Sequence, residues 1–246
     1  MSHSTQETGH TKNVENFKDL YAICKTNTPP YNPTLQKITL TNLEGIRIKA
    51  EEAHAKVFET HAPIITLINQ RQELFQRMPK LSTRVIQALE AVTEDKRIVA
   101  DARRYINKIH GKFPKTQTDD NQEGQETREP TSNSQRSYDK LQEHFNSLIL
   151  LLENVPEYNV NEQDLTIDAL KAYLDEIEQI EKKVIILNGP YNKALNDRDK
   201  VFYEFPDSLV PVAKTVKTYL KSLFGIKSLE YREASRIEFK MIKRKK

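Results

Sequence analysis

The stretch of sequence that decides the fold is residues 170–201, LKAYLDEIEQIEKKVIILNGPYNKALNDRDKV. Its apolar residues recur at alternating steps of three and four, which is the spacing of one helical face and nearly that of a coiled-coil seam. Residues 43–74, LEGIRIKAEEAHAKVFETHAPIITLINQRQEL, repeat this pattern. Each run predicts a helix of about 35 residues, on the order of 50 Å long at 1.5 Å per residue.

The two stretches are related by an internal repeat with an offset of 127 residues, since Tyr31 falls on Tyr158 (158 − 31 = 127). The match runs without a gap from position 31 to position 79. Identical pairs include Asn32 and Asn159, Thr39 and Thr166, Leu43 and Leu170, Glu51 and Glu178, Pro63 and Pro190, Asn69 and Asn196, Arg71 and Arg198, Phe75 and Phe202, and Pro79 and Pro206. Self-similarity of this length predicts two related helical units.

Two pairs of prolines lie at matching positions of the repeat. Pro63 and Pro190 lie inside the long runs, where proline removes a backbone hydrogen bond and clashes with the preceding turn. Because the apolar phase continues across both, we expect kinked helices and not loops. Residues 75–81 and 202–209 each hold a proline in a short polar stretch, which predicts a turn between antiparallel helices.

Shorter elements surround the long runs. Thr93-Glu94-Asp95 predicts a break followed by a helix N-cap, and Gly111 and Gly225 predict helix ends. The fold class is therefore all-α, an elongated antiparallel helical bundle made of two tandem related units, each with a long Pro-kinked helix. We expect both units to share one core. The expected segments are a disordered N-terminus (1–13), a first helical unit (14–111), a flexible linker (112–135), a second helical unit (136–239) and a basic tail (240–246).

Composition narrows the class of protein. The 246 residues carry 38 basic and 35 acidic side chains, and a net charge of +3 is too balanced to indicate a nucleic-acid or membrane partner by itself. The one cysteine, Cys24, excludes an intramolecular disulfide framework and a Cys-based zinc site, and it suits a reducing compartment. No apolar run approaches the roughly 18 residues of a membrane span. We expect a cytoplasmic protein without a membrane partner.

A metal site is the first candidate for chemistry. Glu51 and His54 have the spacing with which ferritin-like bundles place two ligands on one helix face, and Glu178 and Glu181 match them in the second copy. Both pairs flank the apolar seam, and no matching carboxylates stand out on other helices. We therefore expect a solvated polar flank, with no metal and no cofactor.

Arg71 and Arg198 are unusual because both occupy seam positions where an apolar residue is expected. Asn69 and Asn196 precede them by two residues. Each arginine is expected either to bind a carboxylate or carbonyl, or to pack its aliphatic stem while the guanidinium reaches water. Binding of an anionic ligand is the alternative.

Signals for catalysis are weak. With six glycines the usual phosphate-binding loops are essentially excluded, no serine lies in a Gly-x-Ser-x-Gly elbow, and Cys24 has no histidine nearby in sequence. We predict no catalytic residue and a non-enzymatic structural or protein-interaction bundle, with an unknown partner or self-association. The alternatives are a weak nucleic-acid-binding protein that uses the five basic residues among positions 240–246, and a metal-dependent bundle enzyme that uses Glu51 and His54.

Several segments carry a resemblance to a family. They are Tyr31-Asn32-Pro33, residues 81–89 (LSTRVIQAL), residues 108–111 (KIHG), and residues 217–239 with their LFGIKSLEY segment. Together they resemble an uncharacterised family of internally duplicated all-helical proteins common in Bacteroidota. The resemblance implies the all-helical fold and assigns no activity, cofactor or catalytic residue.

Overall fold

The computed structural model describes residues 4–26, 28–112 and 137–242, with side chains from residue 8 onward. These residues form helices and no strand, which confirms the all-α class. The α-helices are α1 (Ser4–Thr26), α2 (Leu40–Val92), α3 (Lys96–His110), α4 (Tyr138–Glu153), α5 (Ile167–Asp199), α6 (Leu209–Phe224) and α7 (Leu229–Arg236). A 3₁₀ turn (Gln36–Ile38) precedes α2, and a π-type turn (Lys200–Glu204) extends α5.

The chain divides into two compact units. Unit 1 consists of Met1–Ile64 and Ile186–Lys246, and unit 2 is Ile65–Ile185. Each has its own main apolar cluster among the described residues. Phe17, Leu43 and Val216 are buried in unit 1, while Leu89 and Phe145 are buried in unit 2. The units differ from the predicted tandem units 14–111 and 136–239 with one shared core, because each combines residues from both of them.

The segments that lead into the two long helices use the same contacts. The Tyr31 hydroxyl donates a hydrogen bond to the Ile38 carbonyl at 2.7 Å, and the Tyr158 hydroxyl donates to the Leu165 carbonyl at 3.0 Å. Thr39 and Thr166 then place their hydroxyl oxygens within 3.4 and 3.3 Å of amide groups in the first turn of α2 and α5. A threonine in this position satisfies an amide that lacks an intrahelical partner, so the helix begins there.

Local signals bound the shorter helices as the sequence predicts. The Asp95 carboxylate accepts from the Arg97 amide at 2.8 Å and caps α3. Gly111 ends the same helix with φ 71°, a left-handed conformation that suits glycine. Gly225, with φ 83°, follows α6. The break at 93–95 and both helix ends are thereby confirmed.

The prolines behave differently in the two copies. Helices α2 and α5 continue through Pro63 and Pro190, and a kink at these residues stays a prediction. The predicted turn at residues 75–81 is wrong, since α2 runs through Pro79 to Val92. The turn at residues 202–209 is present.

A second proline explains this difference at the turn. Pro211 lies in the first turn of α6, where a missing amide hydrogen is tolerated, and the position 127 residues earlier is Arg84. Ser208 strengthens the turn because its hydroxyl donates to the Lys200 carbonyl and accepts from the Phe205 amide. The first copy lacks a proline at position 84, and the helix continues.

The ends of the chain differ from expectation as well. Residues 4–13 were predicted to be disordered, but they form the first part of α1, where His10 and Asn13 are buried. The prediction failed because these polar residues bind partners that are remote in sequence. Except for Lys112, the predicted linker lies outside the described residues, as do tail residues 243–246.

Candidate functional site

The structure does not bring Glu51 and His54 together as ligands. The Glu51 carboxylate binds the Arg47 guanidinium at 2.8 Å and lies 3.7 Å from the Lys18 ammonium. His54 is buried, so the expected solvated flank is wrong for this residue, and its Nε2 lies 2.9 Å from the Thr11 hydroxyl. Among the described residues, no three His, Cys, Asp or Glu side chains form a group that could hold a metal ion.

Arg71 is paired in unit 2. Its Nη1 donates to both carboxylate oxygens of Glu181 at 3.3 Å, and its guanidinium carbon lies 4.7 Å from the centre of the Tyr138 ring. Both charged side chains are about four-fifths buried, at 21% and 23% exposed. The Arg71 Nε is buried without a hydrogen-bond partner in the described part of the chain. Pairing, one of the two structural alternatives for Arg71, is therefore observed.

Arg198 is more deeply buried than Arg71. It is 1% exposed, and it binds the carboxylate of the adjacent Asp199 through Nε at 3.1 Å and Nη2 at 2.8 Å. Asn69 and Asn196 are exposed. Arg71 and Arg198 thus both bind a carboxylate, Arg71 that of Glu181 and Arg198 that of Asp199.

Unit 1 contains a buried polar network that the sequence does not predict. The Asn13 amide nitrogen donates to the Tyr203 hydroxyl at 3.1 Å, and that hydroxyl lies 2.7 Å from His10 Nδ1. His10 and Asn13 are each 1% exposed. No local pattern reveals this network, since Tyr203 lies 190 residues from Asn13.

Asn13 also joins the network to the end of the chain. Its amide nitrogen donates to the Lys240 carbonyl at 2.8 Å, and its amide oxygen accepts from the Lys240 amide at 3.0 Å. Both polar atoms of one buried side chain are thus directed to the main chain of one residue. This arrangement binds a peptide backbone and does not depend on the Lys240 side chain.

Cys24 lies beside Tyr31 in the core of unit 1. The thiol is 1% exposed, and burial raises its pKa to about 12, an effect that a hydrogen bond with Tyr31 opposes. Burial also raises the pKa of Tyr31 above its ordinary value. Both groups therefore stay protonated near neutral pH, which is unfavourable for a nucleophile.

His144 is a buried histidine of unit 2. Burial, followed by the positive charge of Lys108, lowers its pKa below the ordinary value of 6.5, while Glu143 raises it and Lys140 lowers it. Its Nε2 is buried with no hydrogen-bond partner among the residues described. A neutral imidazole tolerates this environment better than a charged one.

The exposed face of α3 carries several charged side chains. Lys96, Arg97, Arg103, Arg104 and Lys108 are basic, and Asp101 is the one acidic residue of this helix. At 3.6 residues per turn, Arg97, Arg104 and Lys108 fall within about 40° of one another around the helix axis. Asp101 lies on the same face, and its carboxylate binds Arg104 Nη1 at 3.0 Å. All three are exposed, and Arg104 and Lys108 help to line an open cleft with Lys112, Tyr105 and Leu151.

The apolar face of α3 is already occupied. Ala102, Ile106 and Ile109 are buried in the core of unit 2. The helix therefore cannot place this face in a membrane surface without unpacking the unit. The surface of α3 that a partner can contact consists mainly of charged side chains.

The comparisons with known proteins add no assignment. No protein-family model, curated protein or solved structure matches the chain. The resemblance to a Bacteroidota family stays a prediction. In the part of the chain that the structure describes, no helix is both long and apolar enough to cross a membrane.

Proposed function

We propose that this chain is a non-enzymatic, cytoplasmic helical protein that acts by binding an acidic protein partner through the basic face of α3. The observation that carries the proposal is the exposed row formed by Arg97, Arg104 and Lys108 on a helix whose apolar face packs in the core. Asp101 in this row binds Arg104 and offsets one of the three positive charges, so the row keeps a net positive charge. Such a surface attracts a partner of opposite charge and increases its association rate.

The interior supports a binding role over a catalytic one. Several buried polar groups are engaged in structural contacts: Tyr31 and Tyr158 donate to main-chain carbonyls, and Asn13 binds the main chain of Lys240. Arg71 is engaged with Glu181. These contacts use the polar atoms to hold helices and segments in place.

Nucleic acid is the second candidate partner, because the α3 face would also suit phosphates. The aromatic residue next to the basic row, Tyr105, is half-buried and packs against the core of unit 2. Binding to single-stranded nucleic acid usually adds exposed aromatic side chains on which bases stack. This favours a carboxylate-rich protein surface over nucleic acid.

Duplication is part of the same proposal. The equivalent hydrogen bonds of Tyr31 and Tyr158, and the equivalent capping contacts of Thr39 and Thr166, support two copies of one ancestral unit. We further propose that Pro63 and Pro190 bend α2 and α5 in corresponding places.

The test is affinity capture from the native cell with three versions of the full chain. One is wild type, one carries R97Q, R104Q and K108Q, and the control carries K80Q, K183Q and K193Q, which remove the same charge from exposed positions elsewhere. We expect proteins captured by the wild type and the control to be recovered at least about tenfold less with the α3 variant.

Two results would contradict the proposal. Equal recovery with all three versions would exclude α3 as the binding face. Loss of the captured material after nuclease treatment would replace the acidic protein with nucleic acid as the partner.

A further inference from the structure

The segment that follows α7 is bound to α1 through its main chain. Residues 237–242 form neither helix nor strand, and the backbone of Ile237 is extended, with φ −70° and ψ 112°. Asn13 binds the Lys240 amide and carbonyl, and Asn16 donates to the Glu238 carbonyl. The Lys217 ammonium of α6 donates to the carbonyls of Ser235, at 3.3 Å, and Ile237. Side chains from two helices therefore bind four main-chain groups of this segment, and Lys217 binds a fifth, the Ser235 carbonyl at the end of α7.

The side chains of this segment divide between core and solvent. Ile237 and Phe239 pack against the core of unit 1, and Ile242 is half-buried. Glu238, Lys240 and Met241 are exposed. The segment is therefore held by its main chain and by apolar side chains at its first, third and sixth positions.

Phe239 has a specific site. Its ring meets that of Phe17 edge to face, with 6.4 Å between centroids, and the Lys217 ammonium lies 5.7 Å from the ring centre. Ile242 rests on Gly9, since a β-carbon added at Gly9 would lie 2.4 Å from the Ile242 Cδ1 atom. The absence of a side chain at Gly9 therefore makes room for the sixth position of the segment.

The hydrogen-bond network of Tyr203 and His10 holds the Asn13 side chain in the orientation that binds the segment. The Asn13 side chain is 1% exposed, and its contact with Tyr203, which is itself bound to His10, fixes the direction in which the amide points. A buried amide needs hydrogen-bond partners, because leaving it without them is unfavourable, and here the Lys240 main chain supplies two of them. Main-chain hydrogen bonds combined with alternate side-chain pockets are how extended peptides are recognised by many binding domains.

We propose that the surface formed by Gly9, Asn13, Asn16 and Phe17 of α1 with Lys217 of α6 is a peptide-binding groove. Its ligand is an extended segment of a partner protein with aliphatic residues at the first and sixth positions and an aromatic residue at the third. Residues 237–242 occupy the groove in cis. A tethered segment has an effective concentration on the order of millimolar, so the partner binds when this segment is displaced. The inference is independent of the α3 face.

The experiment uses the full chain and a fluorescein-labelled peptide with the sequence of residues 235–242, SRIEFKMI, observed by fluorescence anisotropy. The double variant F239A and I242A weakens the cis segment, and we expect it to bind the peptide at least tenfold more tightly than the wild type does. Adding N13A to this variant should reduce peptide binding at least tenfold. A peptide with alanine in place of its phenylalanine is the matched ligand control and should bind at least tenfold more weakly.

If the double variant keeps wild-type helical circular dichroism and binds the peptide no more tightly than the wild type, the groove is not a binding site. Hydrogen exchange on the wild-type chain covers the case in which the variant unfolds. Excess peptide should accelerate exchange of the Lys240 amide, which donates to Asn13 in cis. Unchanged exchange at a peptide concentration of several millimolar would overturn the proposal.

Discussion

Arg71 and Glu181 form an ion pair between helices α2 and α5 within unit 2, at 3.3 Å and with both side chains about four-fifths buried. The positions related to them by the 127-residue offset are Arg198 (71 + 127) and His54 (181 − 127). Position 54, which corresponds to Glu181, therefore has no carboxylate. Arg198, which corresponds to Arg71, binds Asp199.

Removing one partner of the Arg71–Glu181 pair should destabilise the chain more than replacing both. Glu181→Leu leaves a largely buried guanidinium without its carboxylate, and we expect a loss of about 1–3 kcal/mol in the free energy of unfolding. The double variant R71L and E181L should lose less than E181L alone. Urea unfolding of both single variants and the double variant measures the coupling. Additive losses would show that the two residues do not interact.

Tyr31→Phe and Tyr158→Phe should have matching effects. Each change removes a hydroxyl that donates to a buried main-chain carbonyl, and we expect each to lower the free energy of unfolding by about 1 kcal/mol. Tyr105→Phe is the control, and it should change the value by less than about 0.5 kcal/mol. Chemical denaturation of the three variants gives the comparison. A large effect at only one of Tyr31 and Tyr158 would argue against equivalent roles.

The Cys24 thiol should resist modification in the native chain. Burial raises its pKa to about 12, so at pH 8 only about one thiol in ten thousand is ionised, and the thiolate is the reactive form. We expect the reaction with a disulfide reagent to be at least about a thousandfold slower in buffer than in denaturing urea. The absorbance of the released thiol provides the rate. Rapid labelling of the native chain would show that Cys24 is accessible.

Stability should decrease in mildly acidic solution because of His144. Its pKa is lowered in the folded chain, by burial first and then by Lys108, with Lys140 lowering and Glu143 raising it. The unfolded chain therefore binds a proton more readily. The contribution is fully present above the ordinary pKa of 6.5 and is lost as the pH falls from there through the folded pKa.

The variant His144→Leu separates this effect from other titrations. It places an apolar side chain where the histidine Nε2 has no hydrogen-bond partner among the described residues. Urea unfolding between pH 7.5 and pH 5 should show a smaller loss of stability for the variant than for the wild type. Parallel curves for the two proteins would exclude His144 as a source of the pH dependence.

The long helices could be predicted because their signal is local and repeated. The spacing of apolar residues in α2 and α5 continues over many turns, and Asp95 and Gly111 mark helix ends by their own chemistry. The course of the chain at Pro79 and Pro206 was harder to predict, because the outcome depends on a second proline at 211. One breaker in a strong helical pattern can be accommodated, whereas two close together start a new helix.

The polar network could not be predicted because its partners are distant in sequence. Residues 8–13, TGHTKN, have the composition of a disordered end. Their order comes from Tyr203 and from Lys240, which lies 227 residues from Asn13. The composition of residues 8–13 shows only that this segment has few apolar side chains of its own. It does not show the hydrogen bonds that Tyr203 and Lys240 provide.

The division of the chain into units has a consequence for its synthesis. Unit 2, Ile65–Ile185, is continuous and is complete in sequence when the ribosome reaches residue 185. Unit 1 combines Met1–Ile64 with Ile186–Lys246, so α1 gains all of its partners in unit 1 only after these 61 residues (246 − 186 + 1) are made. At about 5–20 residues per second this delay is about 3–12 s. During this delay the apolar face of α1, with Phe17 and Leu20, lacks the native partners that α6 and the residues after α7 supply.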